Sequence, residues 1–427
     1  MADRAAVFGL VQIGKESTAG TQVTPTKKLQ SMSFALTPNP TVNIFRPSGY
    51  LFATVGATNY EQTDFSMTGQ AVYDELQYLY SGLFKDVTPT TPGGGTNSRL
   101  WTYTLSTTSA NTPATYTVES GDTNRGVRAG YMQFTDGGFT VDFDKGMQLS
   151  GGGFAQKIQD NMIVYITRSG SPTTGTWSMT ISTASGITGG SVTGQSRTVA
   201  AAALQSSIET VVGVGNVTVT GGPAGTADLI IKWIGTYATG DAPLVTVANA
   251  FDTGSITAYY ISSGAAALPL IPIVGSQFDF SIATTMSGLS GATPLTRAFN
   301  FTFKVANRFA PIKPVNTSNN GTFAEAVEAV PTATFGFTLG ADDTGMAQLT
   351  KLRANTKVFA RLKATGATIE GSLKYQFIQD MCLILNKPSA LKEGNSLLQI
   401  DYEGAISHDA TSGYAMQTQI QNTQTSL

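Results

Sequence analysis

Leu398-Gln399-Ile400-Asp401-Tyr402-Glu403 alternates apolar and polar side chains without a break. Successive side chains of an extended strand point to opposite faces, so this stretch reads as a half-buried strand with Gln399, Asp401 and Glu403 on its polar face. Phe139-Thr140-Val141-Asp142-Phe143-Asp144 repeats the pattern with Asp142 and Asp144 on its polar side, and Met32-Ser33-Phe34-Ala35-Leu36 shows it again. Strands of this kind are half-buried and need a cover for their greasy face. Two helical patterns can supply one. Ala71 to Phe84 lines up Val72, Leu76, Leu79 and Leu83, and Gly345 to Asn355 lines up Leu349 and Leu352.

The patterns recur in the same order in both halves of the chain. Phe65-Ser66-Met67 matches Phe337-Thr338-Leu339, Met32 to Leu36 matches Phe299 to Phe303, and Val141-Asp142-Phe143-Asp144 matches Ile400-Asp401-Tyr402-Glu403. The offsets drift by about a dozen residues, as loop insertions into a duplicated unit would produce. Between the halves lies a Gly-, Thr- and Ser-rich stretch with short β runs (Met162 to Thr167, Trp177 to Ser182, Val217 to Thr220, Leu229 to Ile234) and one helical pattern, Ala200 to Val212. The expected architecture is therefore mainly β. Two tandem barrel- or sandwich-like domains, residues 1–158 and 266–427, each carry a flanking helix, and a small β-rich domain, 159–265, is inserted between them.

Composition narrows the function. The chain has 427 residues, more than one ordinary domain of about 100–200. Lys+Arg number 26 against 28 Asp+Glu, so there is no basic excess from which phosphate affinity could come. Only 13% of residues are charged while 41% are apolar, which is not the signature of disorder. One Cys and one His exclude an internal disulfide and Cys/His zinc sites. No secretory signal is expected at the first residues, and the apolar stretch Ala265 to Val274, broken by Pro269 and Pro272, is too short for a membrane span.

The motifs that hint at catalysis fail on inspection. Gly9-Leu10-Val11-Gln12-Ile13-Gly14-Lys15 follows a phosphate loop until Glu16 stands where magnesium needs Ser or Thr. Gly213-Val214-Gly215 lacks the third glycine of a dinucleotide site. His408 precedes a polar loop, Cys382 sits in an apolar strand, and neither Asp342-Asp343 nor Asp142/Asp144 has the spaced acid-and-glycine pattern of a calcium loop. The aromatics Tyr73, Tyr78 and Tyr80 fall at helical spacing, as core or subunit contacts do. No catalytic residue, cofactor or metal site is assigned. A cell-surface adhesin or carbohydrate-binding β protein shares the Thr/Gly/Ser texture and stays the alternative; a polysaccharide-cleaving enzyme would need two carboxylates across a groove.

Val11-Gln12-Ile13-Gly14-Lys15-Glu16-Ser17-Thr18-Ala19-Gly20-Thr21 with Pro25-Thr26-Lys27, the helix Tyr73 to Leu83 and the segment Gly130 to Gly151 together resemble tail tube proteins of long-tailed, non-contractile bacteriophages. The inserted stretch Gly215-Asn216-Val217-Thr218-Val219-Thr220-Gly221-Gly222-Pro223 is similar to a β-rich accessory domain of phage structural proteins. The resemblance implies a virion protein, assembled in the host cytoplasm into stacked rings whose bore passes the genome during ejection. Its partners would be other copies of itself, the tail terminator, tape measure and distal tail proteins, and transiently DNA, with no membrane insertion. Two tube units per chain would make a three-chain, pseudo-hexameric ring; one would require six chains. The implied lumen-lining candidates are Asp142, Asp144, Gln399, Asp401 and Glu403, acids that would repel phosphate rather than hold it. The inserted domain would sit on the tube exterior.

Overall fold

The alternating stretches fold as strands of one large sheet. The computed structural model describes residues 9–122, 126–160, 162–183, 188–237, 242–261, 265–314, 321–394 and 396–427. Its wall is built from β1 (Met32–Phe45), β2 (Val55–Gln70), β3 (Gly126–Asp142), β4 (Gly146–Ala155), β5 (Ala298–Ala306), β6 (Thr332–Gly340), β7 (Leu373–Pro388) and β8 (Leu397–Ile406). Every neighbouring pair is antiparallel, and the order is β1-β2-β4-β3 in the first half and β5-β6-β8-β7 in the second. The halves thus have the same topology. They are joined in one sheet by β3 against β5, with Phe139 opposite Phe303 and Thr140 opposite Thr302.

The apolar face of this wall is covered by the helix α1 (Leu76–Leu83), all of it buried, and by a second layer of strands. In that layer Leu10–Lys15 and Tyr116–Gly121 pair toward the start of β3, while Val358–Glu370 and Met416–Asn422 pair with the start of β7. Leu76, Leu79 and Leu83 each contribute about 1.5–3 kcal/mol by leaving water. One core runs through both halves, from Ile13 to Ile420. At the junction Phe139 lies 5.3 Å from Phe303 and 5.7 Å, edge-on, from Phe377. Gly138 is required there, because a Cβ would strike the Phe303 carbonyl oxygen.

Between the halves, α2 (Ala201–Val212) and two small sheets enclose a separate core that includes Trp177, Trp233, Leu204 and Ile208. This module leaves the body through the second layer: Gln159–Asp160 pairs with β3 at Arg128 and Val127, and Ala266–Ala267 runs parallel to Lys27–Lys28. The joint is polar. Arg128 donates to Glu119 (2.8 Å) and to the Tyr165 hydroxyl (3.0 Å), which itself donates to Glu119 (2.7 Å).

The register corrects two sequence alignments. Met67, opposite Phe34, corresponds to Phe337, opposite Phe301, rather than to Leu339. Ile400 to Glu403 belongs to β8, the counterpart of β4, whereas Val141-Asp142 ends β3 and Phe143-Asp144 lies in the following turn. The counterpart of β3 is β7. Alternating strands resemble one another whatever their place in a sheet, so pattern alone mismatched them. The last helix, α3 (Asp343–Arg353), holds the place in the second half that α1 holds in the first, and Asp342 caps it by accepting from the Gly345 amide at 2.9 Å.

Candidate assembly surfaces

Among the described residues three features stand out: a continuous polar face, two unpaired sheet edges and a projecting arm. The polar face opposes the aromatic core across the whole wall. Its residues are mostly hydroxyls and amides, among them Ser33, Thr68, Ser150, Thr140, Thr302 and Thr334. Of the five residues singled out from sequence, Asp401 and Glu403 lie on this face, and each has a lysine. Lys392 Nζ reaches Asp401 at 2.6 Å, and Lys387 Nζ reaches Glu403 at 3.3 Å. Burial alone would raise the Asp401 pKa, but hydrogen bonds from Lys392 and Thr338 and the lysine charge outweigh it and hold the carboxyl below its ordinary value. Gln399 is buried and donates to the Gly394 carbonyl. Asp142 accepts from the Asp144 amide at 2.9 Å and so shapes the turn after β3. Asp144 is exposed in that turn, at the end of the sheet rather than on its face. The acids therefore form two groups: Asp401 and Glu403 on the face, answered by Lys392 and Lys387, and Asp142 and Asp144 at the turn.

The edges follow from the repeat. In the first half Tyr116–Gly121 covers β3 only up to Met132, and beyond it Gly137 to Val141 accepts β5. In the second half Val358–Glu370 covers β7 only up to Leu383, and Asn386, Lys387 and Pro388 beyond it are exposed. At the other end of the wall, β1 pairs with β2 on one side, while its outer side has no partner strand among the described residues. Unpaired backbone of this kind is a template for another chain.

The arm is the extension of β1 and β2. The third strand stops at Ala155 opposite Thr63, yet β1 and β2 continue paired to Phe45 and Val55. The seven residues from Asn39 to Phe45 carry the tip roughly 23 Å beyond the body at about 3.3 Å per residue. That tip exposes Ile44 (72%), Leu51 (79%) and Phe52 (77%), together with Phe45, Tyr50 and Val55. The sequence carried the signal, a Pro47-Ser48-Gly49 turn between two apolar runs, with Gly49 at φ 86°. In the second half the corresponding hairpin, Phe309–Ile312 with Glu325–Glu328, bends against the root of this arm. Gly321 accepts from the Glu61 amide at 2.8 Å, Lys313 Nζ lies 4.2 Å from the centre of the Tyr60 ring, and Phe323 packs between Tyr131 and Phe154.

The remaining motif residues serve the fold. Lys15 donates to Asp86 at 2.8 Å, and Glu16 accepts from Thr115, Thr117, the Gly20 amide and the Tyr131 amide. Cys382 is buried, which pushes its thiol up against the lowering charge of Lys357. His408 is exposed and its carbonyl accepts from Lys357. Tyr73, Tyr78 and Tyr80 are core residues. Among the described residues no group of three or more His, Cys, Asp or Glu is placed to hold a metal. No family model matches the chain, and no curated protein matches it.

Proposed function

We propose that this chain is a structural protein that closes side by side into rings and stacks into a tube, as the tail tube of a long-tailed bacteriophage does, leaving a bore for the viral genome. The observation that carries the proposal is the β3–β5 junction. It joins two units of one topology through the same kinds of edge that β7 and β1 leave open, so the free edge of one chain can take the free edge of the next.

The register supports closure. Backbone pairing leads from Phe34 through Met67, Gly151 and Gly137 to Val305. The second-half residue in the place of Phe34 is Phe301, whose path runs through Phe337 and Tyr402 to Pro388. Pro388 lies as far beyond Leu383 as Gly137 lies beyond Met132, which fixes the equivalence. Each four-strand unit therefore advances by four residues, one per strand. An eight-stranded barrel with a shear of eight has the same ratio and a strand tilt near 36°. A sheet so staggered curls into a cylinder when more units are added, and two units per chain make three chains a six-unit ring.

The polar face would line the bore. The charges on this face, Lys304, Lys387 and Lys392 against Asp64, Asp401 and Glu403, balance among its hydroxyls and amides and offer DNA no excess of positive charge, so few counterions would be released and the strand would slide. The inserted module, leaving through the second layer, would stand outside the tube. The ends of such a tube would meet terminator, tape measure and distal tail proteins. Electron microscopy of the purified protein over rising concentration tests the proposal: rings and stacked tubes with an open centre are expected. Monodisperse single particles with affinity for glycans would favour an adhesin instead.

A further inference from the structure

Strand direction separates two apolar features to opposite ends of the body. The arm leaves where β1 and β5 end and β2 and β6 begin. At the other end, between the two halves, a groove of about 880 Å3 is lined by the turn after β3, the start of β5 and the residues ahead of β8. Phe143 projects over it, 72% exposed, with Phe278, Leu295 and Phe299 half-buried in its wall. Its charges are Asp142, Asp144, Glu393 and Lys392, and Lys392 is taken by Asp401. The arm carries one charge between residues 37 and 60, Arg46, at its tip.

We infer that the groove between the halves receives the arm tip of a second copy of this chain, seated end to end. Leu51 and Phe52 pack on Phe143 and the groove aromatics, and Arg46 meets Asp144 and Glu393. The inference rests on the proposed tube and names its axial contact. Because donor and receptor occupy opposite ends, the contact cannot be satisfied reciprocally within a pair, and it propagates as an open stack. Apolar burial supplies the attraction, while the single arginine against surplus acids sets the seating.

Two single-cysteine additions test it, Leu51→Cys and Phe143→Cys, both at exposed positions and in chains whose own Cys382 is buried. Mixed and oxidised, they are expected to give a covalent pair on a non-reducing gel. Arg46→Asp placed in the Leu51→Cys chain should lower the yield several-fold, and Asp144→Arg in the Phe143→Cys chain should restore it. Absence of the covalent pair while the mixture still forms rings or tubes on grids would overturn the groove assignment and leave the tube proposal standing. A mixture that stays monomeric at every concentration would overturn both.

Discussion

Replacing Leu51 and Phe52 by serine separates folding from assembly, because both side chains are more than three-quarters exposed in the single chain. Surface substitutions of this kind move folding stability by no more than about 0.5 kcal/mol. In a stack the same two side chains leave water. Complete burial is worth about 1.5–3 kcal/mol each, so the pair contributes about 3–4 kcal/mol per arm once partial burial is allowed for. At 1.4 kcal/mol per factor of ten, the concentration at which stacks form should rise by roughly two to three powers of ten. Pelleting of assemblies across a concentration series measures this, and thermal unfolding of the dilute protein supplies the control. A critical concentration within about threefold of the parent would refute the role given to the arm. A lowered melting point would show that the tip packs within its own chain.

Other substitutions probe the body. Asp74 is buried; its Oδ1 accepts from the Thr423 amide, the Thr423 hydroxyl and Gln424, while Oδ2 has no partner among the described residues. Burial raises the carboxyls of Asp74 and Glu75 against the hydrogen bonds that lower them. The folded chain therefore holds these protons more tightly than the unfolded one. Their contribution to stability is full below the ordinary carboxyl pKa and is lost as pH rises through the folded values. Asp74→Asn keeps the acceptor and removes the charge, so its urea midpoint should exceed the parent's at pH 7 and converge with it near pH 4; a pH-independent difference would contradict this assignment. Glu370 has the opposite sign. Hydrogen bonds, that from the Ser98 amide foremost, take it down to about 2, so the tie to residues 96–98 holds above the ordinary value and is lost as pH falls toward 2, which proteolysis of that loop can follow. Gly138→Val should cost about 1–3 kcal/mol or more by forcing β3 from β5, whereas Gly93→Ala, with open space around it, should be neutral in the same denaturation assay. Removing residues 161–264 with a short linker should leave rings intact, since the module has its own core; loss of all assembly would place it in the wall.

Much of the wall was legible in the letters because a half-buried strand must alternate. Met32 to Leu36 and Leu398 to Glu403 both fall in strands of the main sheet. The mainly β class was legible for the same reason. The helix expected over Ala71 to Phe84 forms only from Leu76, since Asp74 and Glu75 are held by the chain end and by Gln30 and Ser31 rather than left to a helical turn. The first part of β3 is buried on both faces from Ala129 to Phe134, so it shows no alternation, and its partner in the repeat could not be found by pattern. The lysines that pair with Asp401 and Glu403 come from the stretch between β7 and β8 and from the end of β7 itself. No spacing rule joins them to those acids before the strands are laid side by side.

The junction between chains can be measured by placing cysteines at Ala35 and Lys392, the positions that correspond to Thr302 and Thr140 at the junction within the chain: Lys392 lies opposite Gln399 as Thr140 lies opposite Gln148. Oxidation of the double variant Ala35→Cys/Lys392→Cys should link chains to one another and end in a closed covalent species of three chains. Rings that form without any link between chains, or a variant that stays a single chain at every concentration, would contradict the pairing of β7 with β1.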